Sequence, residues 1–454
     1  MEALKFAEAN RYQSLKELQE FLSIPSVSTQ PEHKADVQRA AVWLKDKLLA
    51  AGFPTAEVMP TMGHPVVYAE WKAAGPEAPT ILVYGHYDVQ PPDPLEEWRT
   101  PPFEATIVGD DIFARGASDD KAQLFVHIKA VEAFKETAGR PPVNVKCIFE
   151  GEEEIGSPNL EPFIRQHPEQ LAADLAVVSD THMLGEDLPS IVYALRGLAY
   201  VEVEVSSPDH DLHSGVFGGA VHNPLNALCS MMAQLQDKDG RILIPGFYDK
   251  VRALTPEDRA EIAKVPFDRE AWLREAGVES DWGEPEYTIA ERSTARPTLD
   301  LNGIWGGYIQ PGAKTVLPSK AFAKISMRLV PDQHPDEIGQ LISQYLMDLA
   351  PPTVKVDVRV LGGGEGAIVQ RDRPAMKAAS QAFETSFGKK PLFVREGGSL
   401  PVVASFQQIL GIETILMGFG LPDDRLHSPN EKFHLPNFYR GIETSLRFMH
   451  LLAK

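Results

Sequence analysis

Five short segments of this chain carry residue types that could do chemistry, and four of them sit where an apolar run stops. TILVYGHYD closes on His86 and Asp88, VNVKCIFEGEEE on Glu152, Glu153 and Glu154, and LAVVSD on Asp180. ETILMGFG is followed by DDRLHSPNE, which carries His427, and ARGASDDK sets Asp119 and Asp120 ahead of a helix that starts near Ala122. Taken singly, each has an ordinary explanation as a turn former, or as a helix cap favoured by free N–H groups and the helix dipole. Taken together they suggest convergence, because open α/β sheets bind ligands beyond the carboxyl ends of their strands.

Imidazole and carboxylate donors without thiolate suit Zn, Mn or Co and disfavour the all-oxygen shell of Ca. Two such ions about 3.5 to 4 Å apart lower the pKa of a bridging water and polarise a carbonyl. An aspartate from ARGASDDK is expected to bridge them. Glu153 is placed to take the proton of that water and deliver it to a leaving amine. Asp88, two residues beyond His86, can accept the other imidazole N–H and fix the tautomer. A solvated acidic patch is the plainer reading of Glu152 to Glu154, but the apolar run before them favours a lined pocket.

The elements that must position these groups follow from periodicity. Residues 12–23, 36–50 and 122–134 place apolar side chains at helical spacing. Runs at 65–71, 80–84, 143–149, 175–178 and 413–417 read as buried strands, so a mainly parallel sheet is expected. The middle of the chain alternates apolar and polar residues instead, at 200–205 and 321–329. Its strand, helix, strand, strand, helix, strand order is the ferredoxin-like pattern of a separate α/β domain. The expected division is therefore one domain in two parts, 1–196 and 367–454, with a second domain inserted at 197–366. Charged, proline-bearing residues 241–294 read as a helical excursion, and GGG at 362–364 as a flexible joint rather than a phosphate cradle.

Bulk properties narrow the class. A chain of 454 residues exceeds one ordinary core, and 43% hydrophobic with 24% charged residues is a folded composition. A formal charge of -20 argues against nucleic acid and anionic membranes as partners. Cys147 and Cys229 are too few for a disulfide framework, which fits a reducing cytoplasm. The first residues lack the pattern of a secretory signal, and no run approaches the roughly 20 apolar residues of a membrane span.

In order, YGHYDVQP (84–91), ARGASDDKA (114–122), EGEEEIGS (150–157), VSD (178–180), DLHSG (211–215), REGGSLPV (395–402) and RLHSPNE (425–431) resemble the M20 metallopeptidases, and within them the carnosinase-like cytosolic nonspecific dipeptidases. The resemblance covers nearly the whole chain. It implies one metal on His86, Asp119 and Asp180, a second on Asp119, Glu154 and His427, and a cis Asp119–Asp120 bond. It implies Asp88 and Glu153 as the catalytic pair, the first orienting His86 and the second acting as general base and acid. It further implies that the two-part domain is catalytic and the insert a lid and dimerisation domain, with a homodimer in which His213 reaches across the interface to polarise the scissile carbonyl of a small peptide. Thr315, Arg328, Gly398 and Ser399 resemble the group that binds the substrate carboxylate, a task for which the planar Arg fork is suited.

The long excursion and HYDVQPP with EEW at 96–98 lean toward dipeptidases over the family's N-acyl amino acid deacylases and desuccinylases. Glu152 departs from the apolar residue relatives often carry, and would add acidity beside Glu153. From other classes, a non-catalytic metal- or partner-binding protein and a phosphoesterase are the alternatives. The latter is disfavoured by the absence of an evident phosphate cradle.

Overall fold

The computed structural model describes residues 1–398 and 400–454, and the chain forms two compact units. The first comprises residues 1–193, 369–394 and 405–454, and the second 194–368 and 395–404. The short stretch 395–404 thus groups with the middle of the chain, where the sequence pattern alone had suggested the C-terminal part.

At the centre of the first unit, strands Asn144–Glu150, Thr80–His86, Leu175–Val178 and Glu413–Leu416 lie side by side and parallel. They are apolar nearly throughout because both faces are covered, and Asn144–Glu150 is buried at every position. Antiparallel strands Val66–Trp71 and Thr55–Met59 extend one side, and Leu416 pairs antiparallel with Val192 on the other. Parallel strands share a direction, so all four end on one edge of the sheet. The strand Thr80–His86 has Asn144–Glu150 on one side and Leu175–Val178 on the other, which makes its carboxyl end a topological switch point.

Helices Arg11–Leu22, Lys34–Ala50, Ala122–Ala138, Pro374–Phe387 and Leu435–Leu452 pack this unit. Phe21 stacks on Trp43, and Phe125 on Phe438, so an aromatic row joins elements from both ends of the sequence. Helix Ala122–Ala138 stops at Gly139, whose φ of 76° is the left-handed conformation a helix terminus favours in glycine.

The second unit has a four-stranded antiparallel sheet in the spatial order Thr298–Gly306, Lys320–Leu329, Gly197–Ser206, Lys355–Gly364. With helices Pro224–Met232 and Pro335–Leu349 this is the ferredoxin-like arrangement. Burial alternates residue by residue along Gly197–Ser206, and the inward set Ala199, Val201, Val203 and Val205 packs with Leu228, Met231, Ile338 and Ile342. The excursion holds short helices Pro256–Ile262, Arg269–Ala276 and Ile289–Thr294.

Residues 362–364, expected as a flexible joint, are instead the end of strand Lys355–Gly364. A Cβ at Gly363 would lie 2.3 Å from the carbonyl oxygen of Leu198, so glycine serves close backbone approach there.

Candidate metal centre

Each donor occupies a place that the sheet dictates. His86 is the last residue of strand Thr80–His86 and is wholly buried. Its Nδ1 donates to the backbone carbonyl of Asp88 at 3.1 Å, which leaves Nε2 facing Asp119 Oδ1 at 2.9 Å and Asp180 Oδ2 at 3.8 Å. Asp180 stands two residues beyond Leu175–Val178, on the neighbouring strand. Asp119 sits in the turn before helix Ala122–Ala138, and its bond to Asp120 is cis.

The other oxygen of Asp119, Oδ2, lies 2.9 Å from Nε2 of His427, and Glu154 Oε2 lies 3.3 Å from the same nitrogen. Two trios result, His86 with Asp119 and Asp180, and Asp119 with Glu154 and His427, each with ligand atoms within 4.8 Å of one another. Bonds of about 2.0 to 2.2 Å place neighbouring donors of one ion roughly 3 to 3.5 Å apart. Three of the spacings, 2.9, 2.9 and 3.3 Å, lie near such edges and the His86–Asp180 spacing of 3.8 Å is longer; the imidazole and carboxylate donor set fits a pair of divalent cations.

Electrostatics point the same way. Carboxylates of Asp88, Asp119, Asp120, Glu153, Glu154 and Asp180 crowd two imidazoles, and Asp120 Oδ1 is buried with no hydrogen-bond partner among the described residues. Burial, reinforced by the charge of Asp119, holds Asp180 well above the usual carboxylate range. Hydrogen bonds donated by His427 to Asp119 and then to Glu154 push its pKa up to about 10, against the effect of burial. Burial pushes Glu153 up to about 8; nearby His86 opposes this, while Asp180, Asp119 and Glu154 add to it. Divalent cations at the two trios would favour the ionised forms of these carboxylates.

Asp88 supports the site through both its backbone carbonyl and its carboxylate. Its backbone carbonyl orients His86, whereas its carboxylate is 3.5 Å from Nδ1 and accepts instead from the N–H groups of Glu153 (3.2 Å) and Glu154 (3.1 Å). It therefore fixes the turn that carries both the candidate base and a candidate ligand. Glu152 is turned to another task, accepting from His64 N and from Asn159 Nδ2, each at 2.8 Å.

In the second unit, His213 is exposed on the two-residue strand Leu212–His213. Its Nδ1 accepts from Gly215 N at 3.0 Å. Ser214 N donates to the carbonyl of Thr315 at 3.1 Å, so Thr315 is a neighbour of His213. Arg328 is half-buried on the outward face of Lys320–Leu329. Gly398 accepts through its carbonyl from Arg196 N at 3.1 Å. Arg196 has its pKa lowered to about 10, chiefly by burial and also by the like charge of Arg328. Ser399 lies outside the described residues.

Sequence reasoning passed over several supports, most of them buried. Gln90 donates to Glu154 Oε2 at 2.8 Å, and Gln123 bridges Ser118 O and the N–H of Phe419. Arg115 and Glu431 form an ion pair at 2.7 Å. Gln90 and Glu431 lie inside motifs already noted, yet nothing in residue type or spacing separates a support from an ordinary turn residue.

Comparison with known proteins places this geometry. The chain is 38% identical over 396 residues to a Cys-Gly metallodipeptidase of Schizosaccharomyces pombe, covering 86% of this chain and 83% of that protein. It is 32% identical to the human Beta-Ala-His dipeptidase, covering 99% and 92% respectively. Among solved structures, an M20 family metallo-carboxypeptidase from Sulfolobus solfataricus superposes with a TM-score of 0.87 at 35% identity, over 97% of this chain and 99% of that one. The model of Peptidase family M20/M25/M40 matches residues 82–451, a span that contains every donor of both trios, and the chain belongs to that family.

Proposed function

We propose that this protein is a dipeptidase that holds two divalent cations, Zn or Mn, one on His86, Asp119 and Asp180 and the other on Asp119, Glu154 and His427. The observation that carries the reading is the single carboxylate of Asp119, with one oxygen 2.9 Å from each histidine. The cation pair, when bound, lowers the pKa of a water and polarises the scissile carbonyl.

The chain's own residues do the rest. Asp88 and Gln90 hold Glu153 and Glu154 in register, so that Glu153 takes the proton of the attacking water and returns it to the departing amine. With cations bound, the raised affinity of Glu153 for a proton falls, because positive charge favours its ionised form. Arg328, Thr315, Gly398 and Ser399 bind the substrate carboxylate, and His213 polarises the carbonyl from a second subunit.

The apolar side chains of Ile304, Trp305 and Ile309 are exposed in or just after edge strand Thr298–Gly306. Such an edge favours pairing with another copy, which supports a homodimer. Cys147 and Cys229 are both free thiols, which supports a reducing, cytoplasmic setting. No helix among the described residues is long and apolar enough to cross a membrane.

Dipeptide specificity rests on the relatives, whose names are those of dipeptidases. A chelator-stripped sample reloaded with Mn2+ or Zn2+ is expected to cleave a panel of dipeptides and to leave N-acyl amino acids largely intact. The reverse preference would replace this reading with that of a deacylase. Glu153→Gln is expected to lower kcat by about 10²- to 10⁴-fold while metal analysis still finds both ions.

A further inference from the structure

The turn that carries Asp119 depends on a side chain 312 residues further along the sequence. Glu431 is fully buried, and its carboxylate is saturated by that turn. Its Oε1 accepts from the N–H groups of Ser118 at 2.9 Å and Asp119 at 3.1 Å. Its Oε2 accepts from Gly116 N at 3.0 Å and Arg115 Nη1 at 2.7 Å. The turn 117–121 has no side-chain cap at its own N-terminal residue, so Glu431 satisfies backbone donors that would otherwise be buried unpaired.

Arg115 extends the connection. Its Nη2 donates to the carbonyls of Ser428 at 3.2 Å and Pro91 at 3.3 Å, and its guanidinium lies 5.5 Å from the Trp98 ring centroid. Ser428 follows His427, and Pro91 follows the Gln90 that holds Glu154. One buried ion pair therefore touches the turn bearing Asp119, the loop bearing His427 and the segment that steadies Glu154. The His427 loop is unusual in its backbone: His427, Arg425 and Asn430 have φ of 57°, 59° and 66°, a region uncommon for non-glycine residues and least favoured here by Arg425. His86, in contrast, ends a hydrogen-bonded strand, and Asp180 stands two residues beyond one.

We propose that Glu431 and Arg115 are positioning residues that chiefly set the affinity of the cation held by Asp119, Glu154 and His427, because the pair also holds the His427 loop, and to a smaller extent that of the cation held by His86, Asp119 and Asp180, which shares Asp119. The inference rests on the two-cation reading above. A glutamine at 431 would turn an amide N–H toward backbone donors and leave part of the turn unsatisfied. A lysine at 115 would keep the charge but lose the fork that reaches two partners at once.

The test is calorimetric titration of chelator-stripped full-length protein with Mn2+, alongside far-UV circular dichroism. Wild type is expected to bind two ions; fewer would sink the two-cation reading and this inference with it. Glu431→Gln is expected to weaken one of the two ions by about tenfold or more. In an Asp180→Asn background, where the His427 ion remains, it should produce the same loss. In a His427→Ala background its further effect should stay within about twofold. Equal weakening of both ions, or wild-type affinity at both, would overturn the proposal while leaving the two-cation reading intact. Arg115→Lys carried through the same cycle should repeat the pattern. If neither variant folds like wild type, the pair is a general determinant of the fold and the proposal fails.

Discussion

Asp119 presents its two oxygens to different histidines, and most of the chemistry expected of this molecule follows from that one geometry. Burial alone would raise its pKa, but hydrogen bonds from His427 and His86 hold it well below the usual carboxylate range, so it stays ionised and available to cations. Asp119→Asn removes that charge from both trios, and metal analysis after dialysis should find both ions weakened by about tenfold or more. His427→Ala touches one trio only. It should leave close to one ion per chain, and retention of two would show that His427 is not a ligand.

At the scale of elements, the site depends on what lies beneath it. His127, on helix Ala122–Ala138, is buried between Ser179 Oγ at 2.7 Å and Ser445 Oγ at 2.9 Å, and Ser179 precedes Asp180. Burial lowers the pKa of His127 from 6.5 to about 3, so it is neutral in the folded state. Below pH 6.5 the unfolded chain binds a proton that the folded one refuses. Its contribution to stability is therefore complete above that pH and falls as the pH drops toward 3, by about 2 kcal/mol between pH 6.5 and 5. Urea unfolding at both pH values should show His127→Gln losing less stability than wild type over this interval. In the second unit, Gly363→Val sets a side chain against the Leu198 carbonyl and is expected to cost about 1 to 3 kcal/mol, read as a lower urea midpoint.

For the whole molecule, the prediction concerns assembly. If His213 completes a partner's site, activity and dimerisation must fail together. Ile304→Asp places a charge on the exposed edge strand. It is expected to shift sedimentation toward the monomer and to lower kcat/KM by at least about tenfold, with the metal content unchanged. A fully active monomer would remove His213 from the proposed role.

Much of this was legible in the sequence. Helical spacing at 36–50 and the apolar run at 175–178 became Lys34–Ala50 and Leu175–Val178 because burial of one helical face, or of a whole strand, leaves a local periodic trace. The alternation at 200–205 marked the second sheet for the same reason. Strands such as Thr55–Met59, half-exposed and short, left too weak a pattern to find. The candidate donors were legible because several metal-binding residue types stand together near the ends of apolar runs, although any one of them alone reads as a turn former or a helix cap. What only the tertiary structure decided is how they are held: that Asp88 steadies His86 through its carbonyl and the acidic turn through its carboxylate, that Glu152 ties a loop, and that Glu431 caps a turn far from it in sequence. A hydrogen bond between distant segments depends on where two backbones meet in space, and residue order records no periodicity for that.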